Sequence, residues 1–442
     1  MVSESLQGER GDAEIRQRRA TMTVKSWHAV VLLTAIAVAL TLAEVPRDSW
    51  FTMAAVSLSL GAASLTLMGA AALLGGRIPI VESLFGGLDR VYQVHKWLAV
   101  WALVFASVHF TVRAGLREWD TAAILALPAA TTRLVRQLSF VALMGIVVLA
   151  LNRNIPYGTW RLWHKLSGPA FVIVILHWLS IKSPIALASP AGVWLAAVAA
   201  LGVAAAAYKL LLYPLLAQHA EYRIVKVSPG ASAVHLELAP VRRPVRFEPG
   251  QFGFLVMKEE GLREPHPFTI ASGGPPGSNV DFVIRALGDY TNRLFRLARP
   301  GMYADVYAPY GRFRRCEGAG REIWIAGGVG ISPFIAWLRD PAGADFDRVT
   351  FFYFFTPGRD FPSADVIREL AERRGVQLIP NATGAHDPEF VRRFEEIVRE
   401  VGPQDVGISF CGPKGLLTAV RELMKRAGVP PQNLHYEYFE FR

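Results

Sequence analysis

The sequence has few cysteines and few charged residues for its length. Only Cys316 and Cys411 occur among 442 residues, which excludes the multiple-disulfide framework of small secreted proteins. Charged residues make up 19% of the chain and hydrophobic residues 52%, whereas soluble proteins carry about 25% charged residues. This composition excludes an ordinary soluble protein, and the length suits two or three domains.

The amino-terminal segment 1–25 lacks the short apolar stretch and the cleavage site of a signal peptide. It mixes acidic residues with arginines, so we expect a cytosolic amino-terminal tail. The net charge of +10 is not gathered on one amphipathic stripe, and many basic residues flank apolar segments. We therefore predict contact with membrane lipid and no nucleic-acid partner.

Apolar stretches long enough to cross a bilayer, about 20 residues each, fill the first half of the chain. The six stretches lie at 27–44, 51–75, 94–112, 138–151, 163–181 and 191–216. We therefore predict a membrane domain of six helical spans over 26–218. Lys and Arg are more frequent beside the inner ends, despite four arginines in the outer 113–136 loop. This bias predicts a cell (inner) membrane protein whose amino terminus and polar carboxyl-terminal half are cytoplasmic.

The polar half shows two patterns in succession. Alternating segments broken by Pro and Gly predict strands at 222–227, 234–238, 252–256, 281–284 and 302–307. Without long helices between them, these strands favour a small antiparallel β-barrel domain over 219–318. From 319 to 442 strands alternate with helices, which predicts an α/β domain of Rossmann type with a parallel sheet.

Four of the ten histidines lie inside predicted spans at regular spacings. His95 and His109 are 14 residues apart on the third span, and His164 and His177 are 13 apart on the fifth. Both spacings are close to four turns of an α-helix, so each pair shares one helix face, with about 20 Å between its members. The two spans run in the same direction, so His95 can face His164 and His109 can face His177. Two facing imidazoles can bind one haem iron, and the four histidines therefore predict two haems.

The run His266–Pro267–Phe268–Thr269–Ile270–Ala271–Ser272 follows a segment that opens with Pro249–Gly250–Gln251–Phe252. It resembles the flavin-binding signature of the ferredoxin-reductase-like superfamily, in the form typical of NADPH oxidases and ferric reductases. The paired-histidine helices belong to the same family, so the resemblance covers most of the chain. It implies b-type haems and bound FAD, with Thr269 at the reactive edge of the flavin and Phe268 packed on the cofactor. His266 and Pro267 would shape the site, and Ile270 and Ser272 would complete it.

A second flavin element follows this run. Arg285, Gly288 and Thr291 stand at the start of an expected helix, where a guanidinium, backbone amides and a hydroxyl suit a pyrophosphate. The resemblance implies that this segment binds the FAD phosphates.

Two glycine-containing motifs predict the nicotinamide site. Gly327, Gly328 and Gly330 form a strand-to-helix turn that ends in Pro333, and such a turn lets a phosphate approach backbone amides. Cys411, Gly412 and Pro413 resemble the second nicotinamide motif of the family, which implies that the Cys411 thiol lies beside the reacting ring. A small buried core residue is the alternative for Cys411.

The carboxyl-terminal segment and one loop predict how the nicotinamide is selected. The resemblance implies that an aromatic residue of the aromatic tail stacks on the flavin, and we choose Phe439, with Phe441 as the alternative. Arg359 and Asp360 follow a predicted strand and could respectively favour NADPH or NADH. The surrounding arginines and the resemblance favour NADPH, with Arg359 at its 2′-phosphate.

The order of these parts predicts a transmembrane oxidoreductase. The resemblance implies that electrons pass from NAD(P)H through FAD and two b-type haems to an outer acceptor, with O2 reduced to superoxide as the leading hypothesis. A ferric chelate and a separate partner protein are the alternative acceptors. Arg113 is four residues beyond His109, so we expect its cation on the same helix face, where it would favour an anionic product. Pairing with a haem propionate and a place at the membrane interface are its alternative roles.

Overall fold

The computed structural model describes residues 26–152, 154–274, 279–343, 346–358 and 364–437. The chain divides into two compact units, one ending at Leu216 and the other beginning at Ala217. The first unit is helical, and the second contains two separate β-sheets.

The first unit contains long apolar helices joined by shorter ones. They are α1 (Ser26–Leu42), α2 (Met53–Gly75), α3 (Pro79–Phe85), α4 (Leu88–Thr111), α5 (Ala129–Leu151), α6 (Tyr157–His164), α7 (Ser167–Ser180), α8 (Pro190–Ala207) and α9 (Tyr213–Leu216). A π-helical segment, Tyr208–Leu212, joins α8 to α9. Helices α6 and α7 together form one candidate span, Tyr157–Ser180, and the segment from α8 to α9 forms another, Pro190–Leu216.

Five helical segments of the described chain are long and apolar enough to cross a membrane. The predicted first span corresponds to α1, which has 17 residues and would rise only about 26 Å against a hydrocarbon core of about 30 Å. The count of six spans is therefore not confirmed. The predicted bounds of the fourth span were wrong, since α5 begins at Ala129. The apolar pattern missed its first turns because Arg133 and Arg136 interrupt it, although both side chains are exposed on the helix surface.

Helix α2 is the central element of the membrane unit. It is the most buried of the five candidate spans, and small residues let its neighbours approach closely. A Cβ atom at Gly202 of α8 would lie 3.0 Å from the Cα of Gly69 and 2.6 Å from the Phe171 ring. These glycines therefore permit the contact between α2, α7 and α8.

The second unit begins with a six-stranded antiparallel sheet. Its strands are β1 (His219–Pro229), β2 (Ala233–Pro240), β3 (Phe252–Met257), β4 (His266–Thr269), β5 (Val280–Arg285) and β6 (Tyr303–Tyr310), in the order β4-β3-β6-β1-β2-β5. A bridge between Ile270 and Phe282 brings the two edges together, so the sheet is nearly closed around its apolar core. This agrees with the predicted antiparallel barrel, and helix α10 (Asp289–Leu297) follows β5.

A five-stranded parallel sheet follows. Strands β7 (Arg321–Gly327), β8 (Val349–Phe354), β9 (Gln377–Asn381), β10 (Val406–Cys411) and β11 (Leu434–Tyr436) are arranged β11-β10-β7-β8-β9. Helices α11 (Ser332–Arg339), α12 (Ala364–Arg373), α13 (Pro388–Val401) and α14 (Lys414–Arg426) connect them. Every residue of β8 and β10 is buried, as expected for parallel strands covered on both faces. The predicted alternation of strands and helices is confirmed.

Candidate functional site

The four membrane histidines form two pairs. Helix α4 carries His95 and His109, α6 ends at His164, and α7 carries His177. The ring centroids are 6.0 Å apart for His95 and His164 and 6.2 Å apart for His109 and His177. With metal–imidazole nitrogen bonds of about 2.0–2.1 Å, two imidazoles on one metal have ring centres about 6 Å apart. The spacing therefore fits one iron between the members of each pair, and haem ligation stays a prediction.

The two histidines on α4 have fixed hydrogen-bond partners. The Nδ1 atom of His95 lies 2.7 Å from the carbonyl oxygen of Ala71, and that of His109 lies 2.8 Å from the carbonyl oxygen of Ser57. A carbonyl accepts from a protonated Nδ1, which leaves Nε2 with a free lone pair for a metal. This donor set fits the axial ligation that the spacing predicts.

The second histidine of each pair, His164 or His177, differs from the first in its contacts. The Nδ1 atoms of His164 and His177 are buried without a hydrogen-bond partner among the described residues. The Trp160 ring, one turn before His164, stacks on it with centroids 5.1 Å apart. Trp160 was missed from the sequence because an aromatic residue in an apolar helix gives no signal of its own.

The predicted position of Arg113 on the helix face of His109 was wrong. Helix α4 ends at Thr111 and Val112 has an extended backbone, so Arg113 does not continue the helix face of His109, and its side chain is exposed. A role for Arg113 at the acceptor site stays a prediction.

The flavin signature forms the edge strand β4. Thr269 pairs with Phe252 and Phe268 pairs with Gly253 across to β3. Pro267 and Phe268 are half-buried, while Thr269 is 9% exposed. An edge strand with partly accessible side chains can accept a planar cofactor against the barrel.

Three other residues of the signature contact the protein itself. The His266 ring stacks on Tyr290 with centroids 3.8 Å apart, and its Nε2 lies 3.3 Å from a carboxylate oxygen of Glu264. Ile270 is fully buried, and the Ser272 hydroxyl accepts a hydrogen bond from the Asp281 amide. Ile270 and Ser272 therefore help to close the sheet, and their predicted contacts with FAD remain untested.

The predicted pyrophosphate segment lies where β5 leads into α10. Arg285 ends β5 with an exposed side chain, and Gly288 is the N-cap of α10. The Thr291 hydroxyl accepts hydrogen bonds from the amides of Leu287 and Gly288, both at 3.0 Å. Thr291 thus caps the helix, so Arg285 and the remaining first-turn amides are the groups accessible to a phosphate.

The two predicted nicotinamide motifs contact each other. A Cβ atom at Gly327 would lie 2.6 Å from Pro413, and one at Gly330 would lie 2.3 Å from the Cys411 carbonyl oxygen. A Cβ atom at Gly412 would lie 3.0 Å from the Gly327 backbone nitrogen. These glycines are therefore required for the two turns to pack at the carboxyl ends of β7 and β10.

Gly328 differs from its neighbours. Its φ of +57° is in the left-handed region, and a Cβ atom there would meet nothing within 4 Å. Pro333 lies in the first turn of α11. Gly328 is thus the position in this turn with open space for a ligand.

Cys411 is fully buried at the end of β10. Burial, followed by the charge of Glu437, raises the pKa of its thiol well above the usual value. Glu437 is itself 7% exposed, and a Cβ atom at Gly311 would lie 2.5 Å from its carboxylate. Glu437 was not predicted from the sequence, where it is one of two glutamates in the aromatic segment 435–442.

Three residues that were predicted to contact a cofactor lie outside the described residues: Arg359, Phe439 and Phe441. Their proposed contacts with the 2′-phosphate and the flavin stay predictions.

Two family models match the chain. Residues 60–175 match the ferric reductase like transmembrane component, and residues 219–303 match an FAD-binding domain. The first match contains His95, His109 and His164 and ends two residues before His177, and the second contains the flavin signature.

Curated relatives match the polar half. The chain is 30% identical over 198 residues to a probable dihydroorotate dehydrogenase B electron transfer subunit of Methanopyrus kandleri, covering 45% of this chain and 71% of that protein. It is 29% identical over 231 residues to a flavohemoprotein of Pseudomonas putida, covering 50% of this chain and 58% of that protein. The chain thus spans less than two thirds of the flavohemoprotein's length.

The chain is also similar to solved structures, at lower sequence identity. A flavohemoglobin from Malassezia yamatoensis with bound FAD and heme has a TM-score of 0.47 at 16% identity, covering 91% of this chain and 98% of that chain. A ferredoxin NADP+ reductase from Neisseria gonorrhoeae has a TM-score of 0.43 at 18% identity, covering 50% of this chain and 98% of that chain.

Proposed function

Because the chain belongs to the NADPH oxidase and ferric reductase superfamily, we propose that it transfers electrons from cytoplasmic NAD(P)H to an acceptor across the membrane. Its matched domains are those of a transmembrane flavin oxidoreductase. The proposed acceptor is O2, which is reduced to superoxide. Oxidation of one NADPH to NADP+ yields two electrons and one proton on the inner side, and two O2 molecules take up the electrons on the outer side.

The spacing of the histidine pairs carries this proposal. Centroid separations of 6.0 and 6.2 Å suit an iron in each pair, and two such sites along one helix give electrons a route through lipid. Bound FAD would supply the change from two-electron to one-electron transfer, and bound haems would supply one-electron transfer. His95 with His164 would hold the inner haem, and His109 with His177 the outer one.

The soluble residues would bind and orient the other two cofactors. The Thr269 hydroxyl and the Phe268 ring would contact the flavin, and Arg285 would bind its phosphates. The open, left-handed turn at Gly328 suits a phosphate of the nicotinamide cofactor. Because its pKa is raised, the Cys411 thiol stays protonated at neutral pH and brings no negative charge to a nicotinamide ring.

Oxygen is favoured over a ferric chelate by charge. Four arginines, Arg113, Arg117, Arg133 and Arg136, lie in the segment proposed to face the outer side, and cations near an acceptor that becomes an anion stabilise it. A ferric chelate remains the second candidate, since both reactions need the same cofactors, and delivery to a partner protein is the third.

The test uses purified full-length protein with NADPH alone. We expect dye reduction that superoxide dismutase abolishes, with two superoxide anions formed per NADPH. The His109→Leu variant should retain NADPH oxidation with an artificial acceptor but lose superoxide formation. Ferric-chelate reduction that proceeds without oxygen, together with no dismutase-sensitive signal in air, would instead establish the reductase.

A further inference from the structure

Helix α2 presents two equivalent positions to the two histidines of α4. The carbonyl groups that accept from His95 and His109 belong to Ala71 and Ser57. Four residues beyond each carbonyl lies a glycine, Gly75 or Gly61. The two carbonyl residues, the two glycines and the two histidines of α4 are each 14 residues apart, close to four helical turns. The arrangement at one histidine is therefore repeated at the other.

The two glycines differ in how closely the imidazoles approach α2. A Cβ atom at Gly61 would lie 2.8 Å from Nδ1 and 2.9 Å from Cε1 of His109. A Cβ atom at Gly75 would lie 3.6 Å from Cε1 of His95, an ordinary van der Waals distance. An added methyl group is therefore excluded at Gly61 and tolerated at Gly75.

The two histidines of each pair differ in their hydrogen bonds at Nδ1. His95 and His109 donate to backbone carbonyls, whereas Nδ1 of His164 and Nδ1 of His177 have no hydrogen-bond partner within the described parts of the chain. The interplanar angles are 75° for the inner pair and 64° for the outer pair. Helix α2 is thus the element that fixes one ring plane in each pair.

We propose that Gly61 is a positioning residue for the axial ligand His109, and that Gly75 plays the same part for His95 only against side chains larger than a methyl group. At each position the absence of a large side chain lets the imidazole donate to the carbonyl one turn earlier, which fixes its tautomer and its plane. This inference rests on the proposed haem ligation. A fixed hydrogen bond at Nδ1 and a fixed ring plane would hold the potential and the spectrum of each haem constant.

The primary test compares Gly61→Ala with Gly75→Ala in the full-length protein. Low-spin ferric haem signals are recorded by electron paramagnetic resonance, because their anisotropy follows the angle between the axial ring planes. The signal that is missing in His109→Leu identifies the outer haem. We expect Gly61→Ala to shift or remove that signal, and Gly75→Ala to leave both signals unchanged.

Two further glycines serve as controls. A Cβ atom at Gly145 of α5 would meet nothing within 4 Å, whereas one at Gly69 would lie 2.4 Å from Val198 and reach no histidine. Gly145→Ala should behave like the parent. Gly69→Ala should lower thermal stability while the folded fraction keeps both haem signals. If Gly61→Ala does not fold, Gly75→Val takes its place and should alter the inner haem signal alone.

The outcomes separate this inference from the proposed function. A parent without haem overturns both. A parent with two haems whose signals are unchanged in Gly61→Ala, or equally changed in Gly75→Ala, overturns only the positioning role.

Discussion

Arg314 and Arg315 are neighbours in the chain that form ion pairs in opposite environments. Arg314 contacts Glu248 at 2.7 Å, with side chains 72% and 61% exposed. Arg315 makes two hydrogen bonds of 2.9 Å to Glu322, with side chains 10% and 4% exposed. Glu322 lies at the start of β7, the strand that ends in the nicotinamide turn. The same substitution at the two arginines therefore measures the effect of burial on an ion pair.

We expect Arg315→Ala to destabilise the folded state by about 3–5 kcal/mol, because it leaves the Glu322 carboxylate buried without its main partner. Arg314→Ala should cost about 0–1 kcal/mol, as for other exposed pairs. At roughly 2–4 °C per kcal/mol for a domain of this size, the melting temperature should fall by about 6–20 °C in the first variant only.

The assay is thermal unfolding of fragment 219–442, followed by circular dichroism. Replacing Glu322 by Leu in the Arg315→Ala background should recover part of the loss, since the isolated charge is then removed. Equal losses in Arg314→Ala and Arg315→Ala, or no recovery in the double variant, would refute the reasoning.

Four further predictions concern the second unit. Fragment 219–442 should bind FAD and oxidise NAD(P)H with an artificial acceptor, because the antiparallel and the parallel sheet each have an apolar core within it; a folded fragment without flavin would contradict the assignment of β4. Burial raises the pKa of Cys316 to about 12 and that of Cys411 well above its usual value, so neither thiol should react with a thiol reagent at pH 8 until the protein unfolds. Rapid labelling of the native protein would show that these sites are open. Phe439→Ser should change nicotinamide affinity and Arg359→Ala should lower the preference for NADPH, so kinetics equal to the parent would remove those roles.

Periodicity was enough to predict most of the fold. The alternating pattern that begins near Glu221 became an antiparallel sheet, and the fully apolar runs of β8 and β10 became central parallel strands. Helix ends were harder to predict. The start of α5 was not predicted because the exposed Arg133 and Arg136 interrupt its apolar pattern. The end of α4 at Thr111 was not predicted either, so Arg113 lies outside that helix.

Residue identity and spacing were enough to predict the histidine pairs. Features of the candidate site that depend on side-chain packing were not predicted. The His95 and His109 spacing was visible in the sequence, but the matching Gly61 and Gly75 gained meaning only from their distances to the imidazoles. Likewise, Ser272 looks like a cofactor residue in the motif, yet its hydroxyl accepts from Asp281. Which partner a hydroxyl takes depends on tertiary contacts that no local pattern encodes.

The central claim is that electrons cross the membrane through the paired histidines. The most direct test reconstitutes the purified protein into sealed vesicles with oxidised cytochrome c trapped inside and oxygen removed, and then adds NADPH outside. We predict that the trapped cytochrome c is reduced in the parent and not in His109→Leu, while both oxidise NADPH with an external artificial acceptor. External NADPH oxidation without any reduction of the trapped cytochrome c in the parent, or equal reduction in His109→Leu, would contradict the account.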